Sequence, residues 1–244
     1  MNDRAVSDIV GYVLVFSLII ATVGVVTTVG FGTLSDRQTA ERINNVERAF
    51  DVFATNMEDV YRDGAPSRAT EMRLAGGELR HGDPVRITIA DANENKTNVT
   101  ISPRPLIYAD GDTEIVYVAG AVIRSEPESA VMIRNPPFYA HSEGAVFPLI
   151  ETFRTSGPST VSTDGTVRVT STARGVNTSV SEAFEQAENY TITVESPRSD
   201  AWMRYFESAD EITVEDHNPG VVEAKTEAGR VTVPRFGIRL RLSE

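Results

Sequence analysis

The sequence of 244 residues contains no cysteine. Disulfide bonds, thiol nucleophiles and cysteine-ligated zinc sites are therefore excluded, and any folded domain must be held by its core alone. Lysine is nearly as scarce, because Lys96 and Lys225 are the only two among 23 basic residues. The 35 acidic residues leave a net charge of −12 and little positive surface with which to bind phosphate. We therefore expect no nucleic-acid partner.

Motifs for metal binding are also missing. The three histidines lack ligand spacing, and each is expected to be an isolated surface residue: His81, His141 and His217. The segment from Asp91 begins like a calcium loop, but Lys96 stands where glycine is needed and Ser102 where glutamate is needed. The acidic pair around Gly111 is explained by a turn, Asp110-Gly111-Asp112. We expect no metal site.

The sequence also lacks two common catalytic motifs. The sequence has neither a glycine-rich phosphate loop nor a serine in a nucleophile elbow. The expectation is therefore a protein without catalytic residues or cofactors, and not an enzyme.

Residues 9–34 carry no charged side chain. As an α-helix this segment would extend about 39 Å, which exceeds a bilayer core of roughly 30 Å. A secretory signal peptide has a shorter apolar core of roughly 7–15 residues, followed by a small-residue cleavage site. The pattern predicts a retained transmembrane helix over 9–34, preceded by a cytoplasmic segment over 1–8.

The residues around the start of this helix have a recognisable arrangement. Arg4 and Ala5 precede the apolar segment, and Asp8 stands at its beginning. This resembles the class III signal of archaeal type IV pilins, particularly the pilin-like surface proteins of haloarchaea, and the acidic, lysine-poor composition is similar to that of salt-adapted proteins. The resemblance implies that a prepilin-type peptidase cleaves after Ala5, making Val6 the first residue and Asp8 the third, whereas the bacterial pattern has its acid at the fifth. The alternative is an uncleaved signal anchor.

The orientation follows from weighing two signals. Three arginines follow the apolar segment, at positions 37, 42 and 48, against one before it, so the positive-inside rule alone favours a cytoplasmic C-terminal side. These arginines alternate with acidic residues, long domains translocate with little regard to flanking charge, and the pilin resemblance implies a cytoplasmic N-terminus. We expect a single-pass protein of the cell membrane whose C-terminal domain is extracellular.

Four glycosylation sequons lie downstream of the apolar segment, at Asn95, Asn98, Asn177 and Asn189. Their position agrees with an external domain and predicts that some of them are glycosylated. The alternative is that they are unused surface asparagines.

Small side chains recur within the apolar segment at spacings of four, three and four residues: Ser17, Ala21, Gly24 and Thr28. This spacing places them on one helix face, where small residues allow two backbones to approach closely. A pilin filament would use such a face. The alternative is the ordinary abundance of small residues in membrane helices.

An amphipathic extension of the helix is predicted over 35–63. Its apolar residues alternate at spacings of three and four and form a seam: Ile43, Val46, Phe50, Phe53, Met57 and Val60. The seam is too short for an independent coiled coil, so packing on the chain's own β-domain is favoured over contact between subunits. Gly64 and Pro66 are expected to end the helix.

Beyond residue 70 the apolar period changes to two, which predicts half-buried antiparallel strands over 85–89, 114–118, 166–170, 190–194 and 236–242. Three glycine-containing segments are expected to be hairpin turns: 75–77, 109–112 and 228–229. A short helix is predicted from Pro197, with Ala201, Trp202, Tyr205 and Phe206 covering the sheet. The polar run 155–165 is either a boundary between two β-subdomains or one long hairpin loop.

The predicted fold class is α+β, with a long N-terminal transmembrane and amphipathic helix followed by an antiparallel β-rich domain over 70–244 with one short helix. The leading hypothesis is a pilin-like subunit whose partners are the lipid bilayer, further copies or other pilin-like subunits, and a prepilin-type peptidase. The alternative is a membrane-tethered binding or structural module of the cell envelope that does not assemble.

Overall fold

The computed structural model describes the backbone of residues 3–91, 98–174, 181–185 and 189–244. Side-chain surroundings are described for 10–27, 37–91, 98–174 and 189–244. The chain forms two compact units, Met1–Asn45 and Val46–Glu244. The fold is α+β, with an N-terminal apolar helix and a β-rich domain that contains a second, short helix.

The first helix, α1, extends from Asp3 to Tyr61 without interruption. No proline precedes Pro66, so nothing in the sequence removes a hydrogen bond from the helix interior. The backbone leaves the helix close to the expected position, and Gly64 adopts a φ of 74°. The amide of Ala65 donates to the carbonyl of Asp59 over 2.9 Å, which satisfies one of the last carbonyls of the helix.

The remaining elements are strands and one further helix. In chain order they are β1 Ser67–Arg73, β2 Glu78–His81, β3 Arg86–Asp91, β4 Asn98–Ile101, β5 Leu106–Asp110, β6 Thr113–Val118, β7 Ala121–Glu126, β8 Ser129–Arg134, β9 Tyr139–His141, β10 Gly144–Val146, β11 Leu149–Arg154, β12 Thr160–Ser162, β13 Thr166–Ala173, β14 Ser181–Glu185, β15 Tyr190–Glu195, α2 Ser199–Ser208, β16 Thr213–Asn218, β17 Val221–Thr226 and β18 Arg230–Ser243. All five predicted strands are present as β3, β6, β13, β15 and β18.

The seven-stranded sheet is built around β18, which has 14 residues. Its first part, 230–234, pairs with β14 antiparallel, and within it Val231 and Thr232 pair with β10 parallel. Its second part lies between β13, which is antiparallel, and β11, which is parallel. The two parallel pairings differ from the purely antiparallel expectation, because the period of two in a strand does not encode the direction of its neighbours.

Two further sheets enclose the main core. The six-stranded sheet has the order β12-β2-β5-β6-β7-β8, and the five-stranded sheet has the order β16-β17-β15-β3-β4. Buried side chains from both sheets join α2 in one hydrophobic cluster, represented by Ile89, Val116, Ile192, Trp202 and Phe206. The predicted short helix and its four buried residues are confirmed, and the single tryptophan is fully buried.

One of the three predicted hairpin turns is confirmed. Gly111 has a φ of 59° between β5 and β6, where Asp110 pairs with Thr113. The other two predictions are wrong, because β1 and β2 belong to different sheets, as do β17 and β18. Glycine permits the chain to turn sharply, but it does not determine which strands then pair. The polar run 155–165 lies within the second unit and contains the whole of β12.

Candidate functional site

The part of α1 that belongs to the second unit packs on the six-stranded sheet. Phe50, Phe53 and Met57 are fully buried, and Val46 and Val60 are nearly so. The ring of Phe53 contacts the rings of Phe50 at 6.4 Å and Tyr117 at 5.0 Å between centroids. The seam is therefore occupied from Val46 onward by the chain's own domain. Ile43, in the first unit, is buried as well.

Two arginines of the sheet pair with one flank of this helix. Arg134 on β8 lies 2.7 Å from Asp51 and 2.8 Å from Glu58, and it donates to the Thr55 hydroxyl over 3.0 Å. Arg124 on β7 lies 3.1 Å from Glu47. A hydrogen bond to Glu126 is the main cause that raises the pKa of Arg124 above its usual value. Because these ion pairs are partly exposed, each adds little to the stability of the fold. Their main effect is to fix the position of the helix along the edge of the sheet.

The apolar part of α1 is exposed along its described length. The window Val10–Thr27 is long and apolar enough to cross a membrane, and none of it is buried. Within it, the Thr22 hydroxyl donates to the Leu18 carbonyl over 2.7 Å, and Tyr12 stacks on Phe16. By its length and composition, this window is compatible with a membrane span or with a signal sequence.

The predicted small-residue face is partly described. Ser17, Ala21 and Gly24 are exposed, and a Cβ atom added at Gly24 would meet nothing within 4 Å. The side chain of Thr28 lies outside the described residues.

The residues predicted for N-terminal processing fall at the start of α1. The backbone of Arg4, Ala5, Val6 and Asp8 is helical, and their side chains lie outside the described residues.

Two sequons are described. Asn98 begins β4 and is exposed, and Asn189 directly precedes β15 and is half-buried. Because Asn98 pairs with Ala90 and Tyr190 pairs with Asp91, both asparagines lie at the same end of the five-stranded sheet. Asn95 and Asn177 lie outside the described residues.

A cavity of about 490 Å³ opens on the second unit where the end of α1, the segment after β8 and the end of α2 meet. Its lining includes Tyr61 of α1, Tyr139 of β9 and Tyr205 of α2. Arg134 and Glu58 line one side as a bonded pair, and the Asn135-Pro136-Pro137-Phe138 segment forms another. Volumes of this size are typical of small-molecule sites.

Burial keeps the hydroxyls of Tyr61, Tyr117 and Tyr205 protonated at neutral pH. Burial raises the pKa of Tyr205 to about 12 and raises the pKa of Tyr61 and Tyr117 still further. Tyr117 is fully buried, and the groups that influence its pKa include Tyr61, Gly120 and Arg134, which all line the cavity. Tyr117 itself does not line the cavity.

The sequence did not identify this site. Its tyrosines belong to three elements that are remote in sequence, and only the Asn135-Pro136-Pro137-Phe138-Tyr139 run is a local signal, because proline next to aromatic residues is typical of a rigid exposed segment.

The histidines occupy three different environments. His81 was expected at the surface, but it is half-buried, and both of its ring nitrogens are buried with no hydrogen-bond partner among the described residues. Burial, followed by the nearby Arg154 and Arg104, lowers the pKa of His81 to about 4. His217 lies 3.0 Å from Asp200, and His141 is exposed at the cavity. Among the described residues, no group of three or more potential metal ligands is present.

A crystal structure of the ywiB protein from Bacillus subtilis is similar over 68% of this chain and 94% of that chain, at 9% identity and a TM-score of 0.18. A TM-score this low does not indicate a shared fold. No curated protein matches the chain. Residues 4–241, nearly the whole chain, match a family of unknown function, and the protein is a member of that family, DUF7289.

Proposed function

We propose that this protein is a pilin-like, single-pass surface subunit whose N-terminal helix anchors it in the membrane and packs into a filament or pseudofilament. The observation that carries the proposal is the continuous helix α1, which contains both the exposed apolar window Val10–Thr27 and the seam that is buried on the β-domain. A helix of this kind offers an apolar face that lipid or neighbouring helices can contact.

The proposed topology has the N-terminus in the cytoplasm and the β-domain outside the cell. The two described sequons lie on the β-domain, which agrees with an external position. The proposed partners are the lipid bilayer, further copies or other pilin-like subunits, and a prepilin-type peptidase that removes residues 1–5. Catalysis and nucleic-acid binding have no part in this proposal.

A second candidate is a membrane-tethered module that does not assemble. The observation in its favour is that Phe50, Phe53 and Met57 are already buried, so this part of the seam is not available to a neighbouring subunit. On this alternative, α1 serves only as an anchor, and its N-terminus is not processed.

N-terminal processing distinguishes the two. Mass spectrometry of the terminal peptide from native membranes should find Val6 as the first residue, and Ala5→Leu should block cleavage by enlarging the small residue before the cut. Ala40→Leu is the matched control, since Ala40 is exposed in the same helix far from the cut. Recovery of peptides that begin only at Met1 or Asn2 would favour the uncleaved anchor.

A further inference from the structure

Three phenol groups line the cavity of the second unit, those of Tyr61, Tyr139 and Tyr205. A fourth, that of Tyr117, is buried and interacts electrostatically with Tyr61 and Arg134 of the lining. Among the described residues, the fully buried hydroxyl of Tyr117 has no partner of hydrogen-bond geometry. A buried hydroxyl normally has such a partner, so this one is unusual.

These groups offer hydrogen bonds without charge. Because burial holds the pKa of Tyr61 and Tyr205 at about 12 or higher, each hydroxyl keeps its proton and can both donate and accept. Each ring also presents an apolar face beside its hydroxyl. A ligand that matches this lining is uncharged, rich in hydroxyls and partly apolar.

The charged groups of the cavity do not favour an ion. Arg134 is neutralised by Asp51 and Glu58, so it offers little attraction to an anion. Glu58 is engaged by the same guanidinium and lies 3.8 Å from Arg62, which leaves it little attraction for a cation. Asp210 and His141 are exposed at the cavity, where solvent screens them.

The lining and its charge balance point to a neutral saccharide as the ligand of this cavity. We infer that one or two sugar rings lie with a C–H face against an aromatic ring while their hydroxyls bond to the phenols. Tyr139 is the residue best placed to provide that ring, because its side chain is 60% exposed, whereas Tyr205 is 7% exposed. The two prolines before it restrict the backbone that presents it. The inference does not depend on filament assembly, since every residue named lies in the second unit.

Saturation-transfer NMR on the full chain in lipid nanodiscs tests this inference. The probes are glucose, mannose, galactose, N-acetylglucosamine, maltose, cellobiose and lactose, with tetramethylammonium chloride as a cationic probe. Transfer to the ring protons of at least one saccharide is expected. Tyr139→Ala should raise its Kd by about tenfold through loss of the stacked ring, and Tyr139→Phe by less. Val131→Ala, which removes an exposed side chain outside the lining, should leave the Kd unchanged.

Ser208→Trp provides a second variant that fills the cavity from the exposed end of α2 and removes no ring. It should abolish saccharide transfer without lowering the melting temperature. Absence of transfer to every saccharide would overturn the inference, and so would transfer that survives both Tyr139→Ala and Ser208→Trp. Binding of tetramethylammonium alone, lost in Tyr139→Ala, would assign the cavity to ammonium ligands instead.

Discussion

The ring of Phe53 meets the ring of Tyr117 edge to face, with 5.0 Å between the centroids and 80° between the planes. Phe53 belongs to α1 and Tyr117 to the centre of the six-stranded sheet, so this contact joins the helix to the β-domain. Its position explains why the seam of α1 is apolar although the part of the helix after residue 35 is otherwise rich in charge.

Phe53→Ala is expected to destabilise the domain strongly. Deletion of a buried phenylalanine side chain costs about 3–5 kcal/mol, a large part of the roughly 5–15 kcal/mol that stabilises a domain. Thermal unfolding of the full chain in detergent, followed by circular dichroism, measures the effect. The neighbouring Val52→Ala is the control, because Val52 is 54% exposed. An equal melting temperature for Phe53→Ala and wild type would show that the seam contributes nothing to stability.

The sequence could predict those helices and strands that have one buried and one more exposed face. Helix α2 and strand β15 are examples, because their apolar residues recur with the period of a helix and of a strand. Strand β7 was missed because residues 121–123 are all buried, so the alternation on which the prediction depends is absent. Three other features depend on residues that are remote in sequence, and no local sequence pattern predicts them. They are the pairing of β11 with β18, the burial of the ring nitrogens of His81 and the tyrosine-lined cavity.

Acid is expected to destabilise the domain through His81. Its pKa is about 4 in the folded chain and about 6.5 in an unfolded one, so the unfolded state binds the extra proton between these values. The free energy of unfolding should therefore fall as the pH is lowered from 6.5 towards 4, and His81→Gln should reduce that fall. Denaturant unfolding at several pH values measures it. His141→Gln, at an exposed position, should follow the wild type. Parallel pH profiles for wild type and His81→Gln would contradict the prediction.

The membrane role of α1 can be tested with charge. Val15→Arg together with Ile19→Arg places two arginines within the exposed apolar window, each at an insertion cost of about 2.5–3.5 kcal/mol. The protein should move from the carbonate-resistant membrane fraction to the soluble or aggregated fraction. Gln38→Arg together with Asn45→Arg adds the same charge outside the window and should leave the protein in the membrane. Unchanged fractionation of the first pair would contradict a membrane-spanning role.

If the small-residue face mediates assembly, a substitution there should affect oligomer formation and not membrane insertion. Gly24→Leu adds bulk where helices would approach closely, yet leucine favours the bilayer. Cross-linked oligomers in native membranes should disappear while membrane insertion persists. Val23→Leu is the control on the adjacent position, where the side chain is already large. Oligomers that persist in Gly24→Leu would exclude this face from assembly.

The central position of β18 has a consequence for folding. Strands β10, β11, β13 and β14 all pair with residues 230–243, although they lie earlier in the chain. The seven-stranded sheet therefore cannot close until residues 230–243 are available to it. Pairing between segments so remote in sequence slows folding, because the entropy cost of closing each loop precedes the gain from pairing.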